Sequence, residues 1–263
     1  MNLKGKRVVL TGAAGGMGKI IAGELHKRGA ILALVDANAD ALGGMVAELD
    51  GAHSVPGDLS SAGECKVVAA QCQTLLGGVD LLINLAGINS FAAFEDEPVE
   101  KIELMMHVNL LAPMWLSRAL LPAMQAQNSG HIVNIGSIFG SIGFAYFTTY
   151  SASKFGLRGF SEALRRELAD TGIKVSYIAP RAVRTPMNND AVMRMGEATK
   201  MNMDEPDAVV AKIIAAIETD KKDAYFGFPE SLFVRINALL PRLVDGSVAA
   251  QNRIARAFAK GEK

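Results

Sequence analysis

A tyrosine and a lysine lie four positions apart, Tyr150 and Lys154, in the segment TTYSASKFG. The segment is typical of a helix, on which residues i and i+4 share a face, so the Lys154 ammonium can approach the phenol and stabilise its ionised form. A free tyrosine titrates near pH ~10, and bringing its pKa to neutrality requires roughly 4 kcal/mol. Ser137, at the end of an apolar run, can donate a hydrogen bond to a substrate oxygen. The three side chains predict a proton-transfer site.

A glycine-rich loop, TGAAGGMGK, follows the apolar run RVVL near the N-terminus. Glycines at positions 12, 16 and 18 allow a tight turn and bring backbone N–H groups close to a pyrophosphate at a helix N-terminus. A Walker loop is excluded, because it requires glycine where Ala13 stands and serine or threonine where Ile20 stands. The loop predicts a dinucleotide phosphate cradle, since a strand pattern precedes it and a helix pattern follows it.

Asp36 ends the second apolar run, eighteen residues beyond Gly18. A carboxylate at about this distance accepts hydrogen bonds from the adenosine ribose and repels a 2′-phosphate. Ala37 follows it, and positions 13–17 contain no arginine or lysine that would attract that phosphate. The pattern favours NAD over NADP. The alternative that Asp36 only caps the next helix stays open.

The hydrophobic pattern alternates between strand-length and helix-length segments. The strand candidates are RVVL at 7–10, AILALVD at 30–36, HSVPGD at 53–58, VDLLINLAG at 79–87, GHIVNIGS at 130–137, IKVSYIAP at 173–180 and DAYFGF at 223–228. This alternation predicts an α/β fold with a doubly wound parallel β-sheet, in which ligands bind beyond the carboxyl ends of the strands. A length of 263 residues suits one such domain, predicted at 1–229, with a helical extension at 230–263.

Composition excludes several classes of function. The 27 basic and 27 acidic side chains balance, so no basic face for nucleic acid is expected. Cys65 and Cys72 have neither metal spacing nor a geometry suited to a mutual disulfide, and the four histidines show no metal-ligand spacing. We therefore expect no metal site and a reducing, cytoplasmic location. We expect no run that reaches the ~18 apolar residues that a membrane span needs.

Further short motifs join the glycine loop along the chain. They are GDLS with Asp58, NLAG at 84–87, Asn109 in VNLL, Ser137, YSASK at 150–154 and PRAVRT at 180–185. With TGAAGGMG in the place of TGxxxGxG, the chain resembles the short-chain dehydrogenase/reductase family across roughly residues 5–228. The resemblance implies a Rossmann fold and a nicotinamide-dependent interconversion of a secondary alcohol and its ketone, with the cofactor supplying the hydride chemistry.

The resemblance also implies roles for four side chains. Tyr150 would be the general acid for carbonyl reduction and the base for alcohol oxidation, while Ser137 would hold the substrate oxygen. Lys154 would contact the nicotinamide ribose and lower the pKa of Tyr150, an effect to which an oxidised nicotinamide would add. Asn109 would anchor a water in the proton relay.

The same resemblance extends the expected cofactor contacts beyond the glycines and Asp36. The full set is Gly12, Gly16, Met17, Gly18, Asp36, Asp58, Leu59, Asn84, Ala86, Gly87, Tyr150, Lys154, Pro180, Val183 and Thr185. It would place Asp58 near the adenine, and Val183 with Thr185 at the nicotinamide carboxamide. Two positions depart from the family pattern: Leu85 replaces an asparagine, and Arg181 follows Pro180 where glycine is usual. A structural role for Arg181 is favoured over contact with a substrate carboxylate.

The substrate is expected to lie under the segment after the sixth strand, residues 185–203, which contains five of the chain's 12 methionines. Such a segment can act as a lid, and methionine adapts to irregular apolar shapes. Phe139, Phe144, Tyr146 and Phe147 precede the predicted acid. We predict a hydrophobic alcohol or ketone, with the alternative that these residues only pack the lid on its own core.

The tail at 230–263 carries six basic and three acidic residues, and an apolar stripe at helical spacing. The stripe consists of Leu232, Phe233, Ile236, Leu239, Leu240 and Leu243. The favoured interpretation is that this segment forms a subunit interface in a homodimer or homotetramer. The alternative is contact with an anionic membrane.

Three functions fit the sequence. The leading one is NAD-dependent oxidation of a secondary alcohol or reduction of its ketone. A 3-oxoacyl thioester reductase is the second, although Asp36 disfavours the NADPH that such an enzyme usually takes. The third is a regulator that senses NAD without turnover, against which the intact Ser137, Tyr150 and Lys154 argue.

Overall fold

A seven-stranded parallel sheet forms the centre of the molecule, with strand order β3-β2-β1-β4-β5-β6-β7. The computed structural model describes residues 1–262, apart from the side chain of Ser247. The strands are β1 (Arg7–Thr11), β2 (Ile31–Asp36), β3 (His53–Pro56), β4 (Leu81–Asn84), β5 (Gly130–Ile135), β6 (Ile173–Ala179) and β7 (Asp223–Tyr225). The order reverses between β1 and β4, which creates a crevice beyond the carboxyl ends of these strands.

Helices connect the strands and cover both faces of the sheet. They are α1 (Gly16–Lys27), α2 (Ala39–Glu48), α3 (Ala62–Leu76), α4 (Val99–Met106), α5 (Ala112–Ala126), α6 (Thr148–Glu167), α7 (Asp190–Ala198), α8 (Pro206–Glu218), α9 (Glu230–Leu239) and α10 (Pro241–Ala259). A π-helical turn, His107–Leu111, joins α4 to α5 without a break. Helix starts follow local chemistry: Asn38, Ser61 and Asn189 each accept a backbone N–H from the first turn.

The core divides into two layers, one on each face of the sheet. One layer packs α1, α2 and α8 against side chains such as Leu10 and Ile83, and the other packs α3, α5 and α6 against side chains such as Val9 and Leu82. Alternate residues of one strand thus serve opposite layers, which explains the continuous apolar runs at 8–10 in β1 and 81–83 in β4.

The predicted α/β architecture is confirmed. All seven predicted strands form, and Tyr150 with Lys154 lies in α6 as expected. Several strands are shorter than the predicted segments, and one difference affects a site residue: β5 ends at Ile135, and Ser137 lies two residues beyond it, capping the 3₁₀ turn Ile138–Gly140. Cys65 and Cys72 face the same core layer from α3, both as free thiols.

One helical run corrects the expectation about apolar length. By length and hydropathy alone, Val99–Ala126, of 28 residues, is apolar enough to cross a membrane. In the fold this run is the crossover between β4 and β5, and Leu116, Leu120 and Met124 pack against the sheet layer. A single such helix is typical of the core of a doubly wound domain, and we assign it that role.

The tail helices α9 and α10 fold back over the domain. Val234 of α9 and Val244 of α10 are buried against Ile138 and Ile142, which follow β5. Ala255 of α10 is buried in a second cluster with the aromatic residues before α6 and the methionines around α7. The tail therefore covers the carboxyl edge of the sheet, where the predicted site residues lie.

Candidate active site

The glycine loop between β1 and α1 forms a cradle of bare backbone. Gly12 has a φ of +68°, and a Cβ there would lie 2.8 Å from the backbone of Ala86. A Cβ on Gly18 would lie 2.1 Å from the carbonyl oxygen of Gly12. Helix α1 begins with no side-chain cap and no acidic residue in its first turn. Its N–H groups and dipole therefore suit an anion, which is the fit that a dinucleotide pyrophosphate requires.

A groove of about 640 Å³ runs beside this loop. Its walls include Gly12, Gly16, Met17, Gly18, Asp36, Asp58, Leu59, Ala86 and Gly87. Asp36 is fixed at the end of β2, because its carboxylate accepts backbone N–H groups from Ala14 and Asn38, both at 3.0 Å. Asn38, rather than Asp36, caps the following helix. The groove thus combines a phosphate cradle with a carboxylate that is fixed beside the glycine loop.

A second cavity, of about 390 Å³, adjoins the groove and contains the predicted proton-transfer residues. Ser137, Tyr150, Lys154, Pro180, Val183 and Thr185 all line it. The two cavities share Met17, Leu85, Gly87, Asn89, Thr185 and Met187, so they meet at a common wall. A cofactor in the groove and a substrate in the cavity would come together at this junction.

Ser137 is held by Tyr177, a fully buried residue of β6. The Tyr177 hydroxyl donates to the Ser137 carbonyl at 3.2 Å, and the Ser137 amide donates to that hydroxyl at 3.4 Å. The ring fits only because positions 136 and 140 are glycine, where a Cβ would lie within 2.3 Å of the tyrosine. The Tyr177 clamp therefore fixes the backbone that presents the Ser137 hydroxyl.

Burial dominates the electrostatics of Tyr150 and Lys154. It raises the pKa of the Tyr150 phenol, and a hydrogen bond with Ser137 opposes that rise. Burial also lowers the pKa of Lys154 to about 8. The ammonium lies 5.8 Å from the Tyr150 ring centroid and donates to the carbonyl of Ile135 at 3.1 Å. The protein residues alone therefore hold the phenol in its neutral form, in contrast to the predicted lowering of its pKa by Lys154.

The side chain of Asn109 bonds to protein groups, and the water-anchoring role expected of this residue stays a prediction. It lies in the π-helical turn, fully buried, and its amide pairs with the backbone of Ile88 through two bonds of 2.8 Å. Its Nδ2 also donates to Ser153, whose hydroxyl donates to the carbonyl of Tyr150. The amide therefore ties the loop after β4 to the start of α6, and it acts here as a positioning group.

Asn84 also has a side chain that bonds within the protein, and its predicted cofactor contact stays a prediction. Its side chain is buried and donates to Asn134 at 2.8 Å, and Asn134 in turn donates to Ser161. This chain joins β4, β5 and α6 beneath the junction, and the Asn84 side chain lines neither cavity. The residue supports the floor of the site because α6 carries Tyr150 and Lys154.

Comparisons with known proteins decide the family. The sequence model described as short chain dehydrogenase matches residues 6–195, about seven tenths of the chain. The chain belongs to the short-chain dehydrogenase family. Members are oxidoreductases that use a nicotinamide dinucleotide, and the cradle and groove described above fit that group.

Two relatives and one solved structure illustrate the similarity. The chain is 35% identical over 221 residues to the ketoacyl reductase HetN of Nostoc, covering 82% of this chain and 76% of that protein. It is 35% identical over 271 residues to dehydrogenase/reductase SDR family member 7B of Rattus norvegicus, covering 97% and 83%. A short-chain dehydrogenase from Burkholderia phymatum, solved in complex with NAD, superposes with a TM-score of 0.84 at 22% identity, covering 93% and 96% of the two chains.

Several contacts at the site were not predicted from the sequence. Arg181, at the rim of the cavity, pairs with Asp204 at 2.6 Å and with Glu230 at 3.0 Å. Phe233 and Gln251 of the tail line the cavity. The residues that anchor the tail, Val234, Val244 and Ala255, lie outside the predicted stripe of larger apolar residues. Small apolar residues of this kind do not indicate which part of the domain they pack against. The position of Arg181 agrees with the structural role favoured for it.

Proposed function

We propose that this short-chain dehydrogenase interconverts a hydrophobic secondary alcohol and its ketone with NAD. The observation that carries the proposal is the shared wall of the two cavities: Ser137, Tyr150 and Lys154 line a mostly apolar cavity that opens onto a groove with a pyrophosphate cradle. Bound nicotinamide would accept or supply the hydride. The chain's own residues then need only hold the oxygen and move its proton.

Ser137 and Tyr150 form the proton-transfer pair in this proposal. The Ser137 hydroxyl would hold the substrate oxygen, and the Tyr150 phenol would donate its proton to a ketone or, ionised, accept one from an alcohol. Burial keeps the phenol neutral, so alcohol oxidation requires added positive charge near it. The Lys154 ammonium, with a pKa of about 8, is charged at neutral pH and retains donors for a ribose hydroxyl.

The lining of the cavity supports an apolar substrate. Phe139 and Phe144 stack with ring centroids 5.0 Å apart, and Phe147 completes an aromatic wall that leads to Tyr150. Met187 and Met201 contribute to the same cavity, whereas Met195 is fully buried in the cluster beneath it. The methionine-rich segment thus serves both its own core and the cavity, so the two alternatives for this segment coexist.

A panel of alcohols, followed by the absorbance of the reduced nicotinamide, tests the proposal. We expect kcat/KM to rise with the apolar surface of the alcohol, since the binding energy follows the buried apolar area. A clear preference for small polar alcohols would contradict the predicted substrate class. Binding of NAD without turnover of any alcohol or ketone would favour the regulator instead.

Asp36 supports NAD as the cofactor. Its carboxylate is fixed by the backbone N–H groups of Ala14 and Asn38 and lines the groove. We expect Asp36→Asn, which keeps one accepting oxygen and removes the charge, to lower the ratio of NADP to NAD dissociation constants at least tenfold, or ~1.4 kcal/mol. Asp40→Asn, on the exposed first turn of α2, is the matched control. An unchanged ratio would show that another group sets the preference.

A 3-oxoacyl thioester reductase is the second candidate, and the name of the relative HetN, a ketoacyl reductase, favours it. An apolar cavity would accept an acyl chain as readily as a hydrophobic alcohol. Reduction of a 3-oxoacyl thioester at a kcat/KM above that for every simple ketone would establish this candidate. We further propose a cytoplasmic homodimer or homotetramer. Exposed apolar side chains on the outer helices α5 and α6, Met114 and Phe155, would suit subunit contact, and light scattering tests the mass.

A further inference from the structure

A cluster of exposed leucines lies where α9 ends and α10 begins. Leu239, Leu240 and Leu243 are 80%, 56% and 63% exposed, and we call them the α9–α10 corner. Leu232, seven residues before Leu239 and therefore on the same side of α9, is also exposed. Three large apolar side chains within five positions are more than the scattered exposed leucine of an ordinary surface. The corner therefore calls for an apolar neighbour.

The corner does not complete the core of its own chain. The tail is anchored through Val234, Val244 and Ala255, which are buried. The leucines of the corner are exposed, whereas Ile236 of α9 and Phe258 of α10 pack partly against the body. The tail therefore has apolar side chains enough for its own anchoring, and the exposed leucines lie outside that packing. A requirement at the surface explains it better than a requirement of packing.

Two arginines lie beside the corner. Arg235 and Arg242 flank the leucines in sequence and are exposed, and neither forms an ion pair within the part of the chain that the structure describes. Asp245 is the acidic residue next to the corner in the sequence. Apolar side chains bordered by free cations match the surface of an anionic bilayer, where apolar groups enter the acyl boundary and cations meet the headgroups.

The corner also adjoins the entrance of the substrate cavity. Phe233 of α9 and Val244 of α10 line that cavity, and each lies next in sequence to an exposed leucine, Leu232 and Leu243. One pair of helices thus presents apolar side chains both to the outside and to the cavity. This arrangement would bring the cavity close to a lipid surface on which the corner docked.

We propose that the α9–α10 corner docks the protein on an anionic lipid surface. A second copy of the chain fits less well, because a stable protein interface takes roughly 20–30 residues a side. The corner offers its three leucines, the nearby Leu232 and two arginines that form no ion pair among the described residues. A lipid surface needs only a few inserted apolar side chains with adjacent cations. Docking does not depend on the proposed function; only delivery of a substrate from the lipid rests on it.

Sedimentation of the full chain with vesicles tests docking directly. The probes are vesicles of phosphatidylcholine alone and of phosphatidylcholine with phosphatidylserine, at low and high salt. We expect binding to the anionic vesicles at least ~10-fold tighter than to the neutral ones. Leu239→Asp with Leu243→Asp should reduce that binding at least ~10-fold, because two charges would enter the acyl boundary.

Two further variants separate the contributions of charge and shape. Val67→Asp with Leu75→Asp makes the same change at two exposed apolar positions of α3, and it should bind as the wild type does. Arg235→Gln with Arg242→Gln leaves the leucines in place and should remove most of the preference for anionic vesicles. Circular dichroism and thermal melting confirm that each variant folds; if the aspartate pair does not fold, the glutamine pair and the salt dependence still decide.

Three outcomes would overturn the proposal. The first is equally weak sedimentation of the wild type with both vesicle types. The second is an aspartate pair at 239 and 243 that folds and binds as the wild type does. The third is a fall in mass by light scattering for that pair with vesicle binding unchanged, which would make the corner an interface between copies. Vesicle binding without turnover of any alcohol would leave docking intact and remove the proposed function.

Discussion

Arg181 joins the segment before α8 to the start of α9 at the rim of the substrate cavity, and its removal should destabilise the fold. The guanidinium donates to Asp204, before α8, at 2.6 Å, to Glu230, at the start of α9, at 3.0 Å, and to the carbonyl of Phe228 at 3.1 Å. The side chains of the three charged residues are 18%, 15% and 25% exposed. Arg181→Met would leave two mostly buried carboxylates without their cation.

The expected cost follows from these contacts. A hydrogen bond to a charged group contributes about 1.5–3 kcal/mol, and partial exposure screens part of that contribution. We expect Arg181→Met to lower the free energy of unfolding by roughly 2–3 kcal/mol, which corresponds to a fall in Tm of roughly 5–10 °C. Asp204 and Glu230 belong to the segments beside the substrate cavity and not to the cofactor groove. KM for an apolar substrate should therefore rise severalfold, while the Kd for NAD stays within a factor of ~2.

Thermal melting, urea unfolding and NAD calorimetry on Arg181→Met measure these quantities. Arg166→Met is the matched control, because Arg166 pairs with Glu162 on the exposed face of α6, where such a pair contributes only ~0.3–0.5 kcal/mol. Equal melting of the two variants would refute the reasoning. A loss of NAD affinity as large as the loss of substrate affinity would show that Arg181 supports the groove as well.

Three other changes have expected outcomes. Gly18→Ala places a Cβ against the Gly12 carbonyl and should weaken the Kd for NAD by calorimetry at least ~10-fold; an unchanged Kd would contradict the cradle. Lys154→Met should abolish turnover yet raise Tm at pH 7, because the wild type must bury a charged lysine there. The gain in Tm should shrink from about pH 8 upward, since the pKa of the lysine is about 8 in the folded protein and ~10.4 in the unfolded chain. Burial lowers the pKa of His131 to about 4, so between pH ~6.5 and ~4 the folded protein binds fewer protons at this residue than the unfolded chain does. The free energy of unfolding in urea should therefore fall as the pH is lowered from ~6.5 to ~4, and it should fall less steeply for His131→Asn than for the wild type.

The architecture and the junction of the site could be predicted from the sequence because they depend on local patterns. Each buried strand is a short apolar run between turn residues, and the carboxyl ends of parallel strands must meet at one edge. Gly12, Asp36 and Thr185 each follow or end a strand. Once the strands were predicted, these residues were expected at the carboxyl edge of the sheet. Tyr150 and Lys154 needed only the period of a helix.

The contacts between distant segments could not be predicted in this way. Arg181 and Glu230 are 49 residues apart, and many acidic residues could have been the partner of that arginine. The sequence did not indicate the side-chain partner of Asn109 either, and the π-helical turn aims its amide at the backbone of Ile88. The Tyr177 clamp has no sequence motif, because it depends on two glycines that make room for a ring. Side-chain direction at long range comes from packing.

The central claim is that one phenol transfers the proton at the junction of groove and cavity, and Tyr150→Phe tests it most directly. The variant removes one oxygen and keeps the ring that packs beside Phe139 and Phe147. We predict that kcat with the best alcohol of the panel falls ~10²–10⁴-fold while the Kd for NAD changes less than ~2-fold. A variant that retains more than about a tenth of the wild-type kcat would contradict the account.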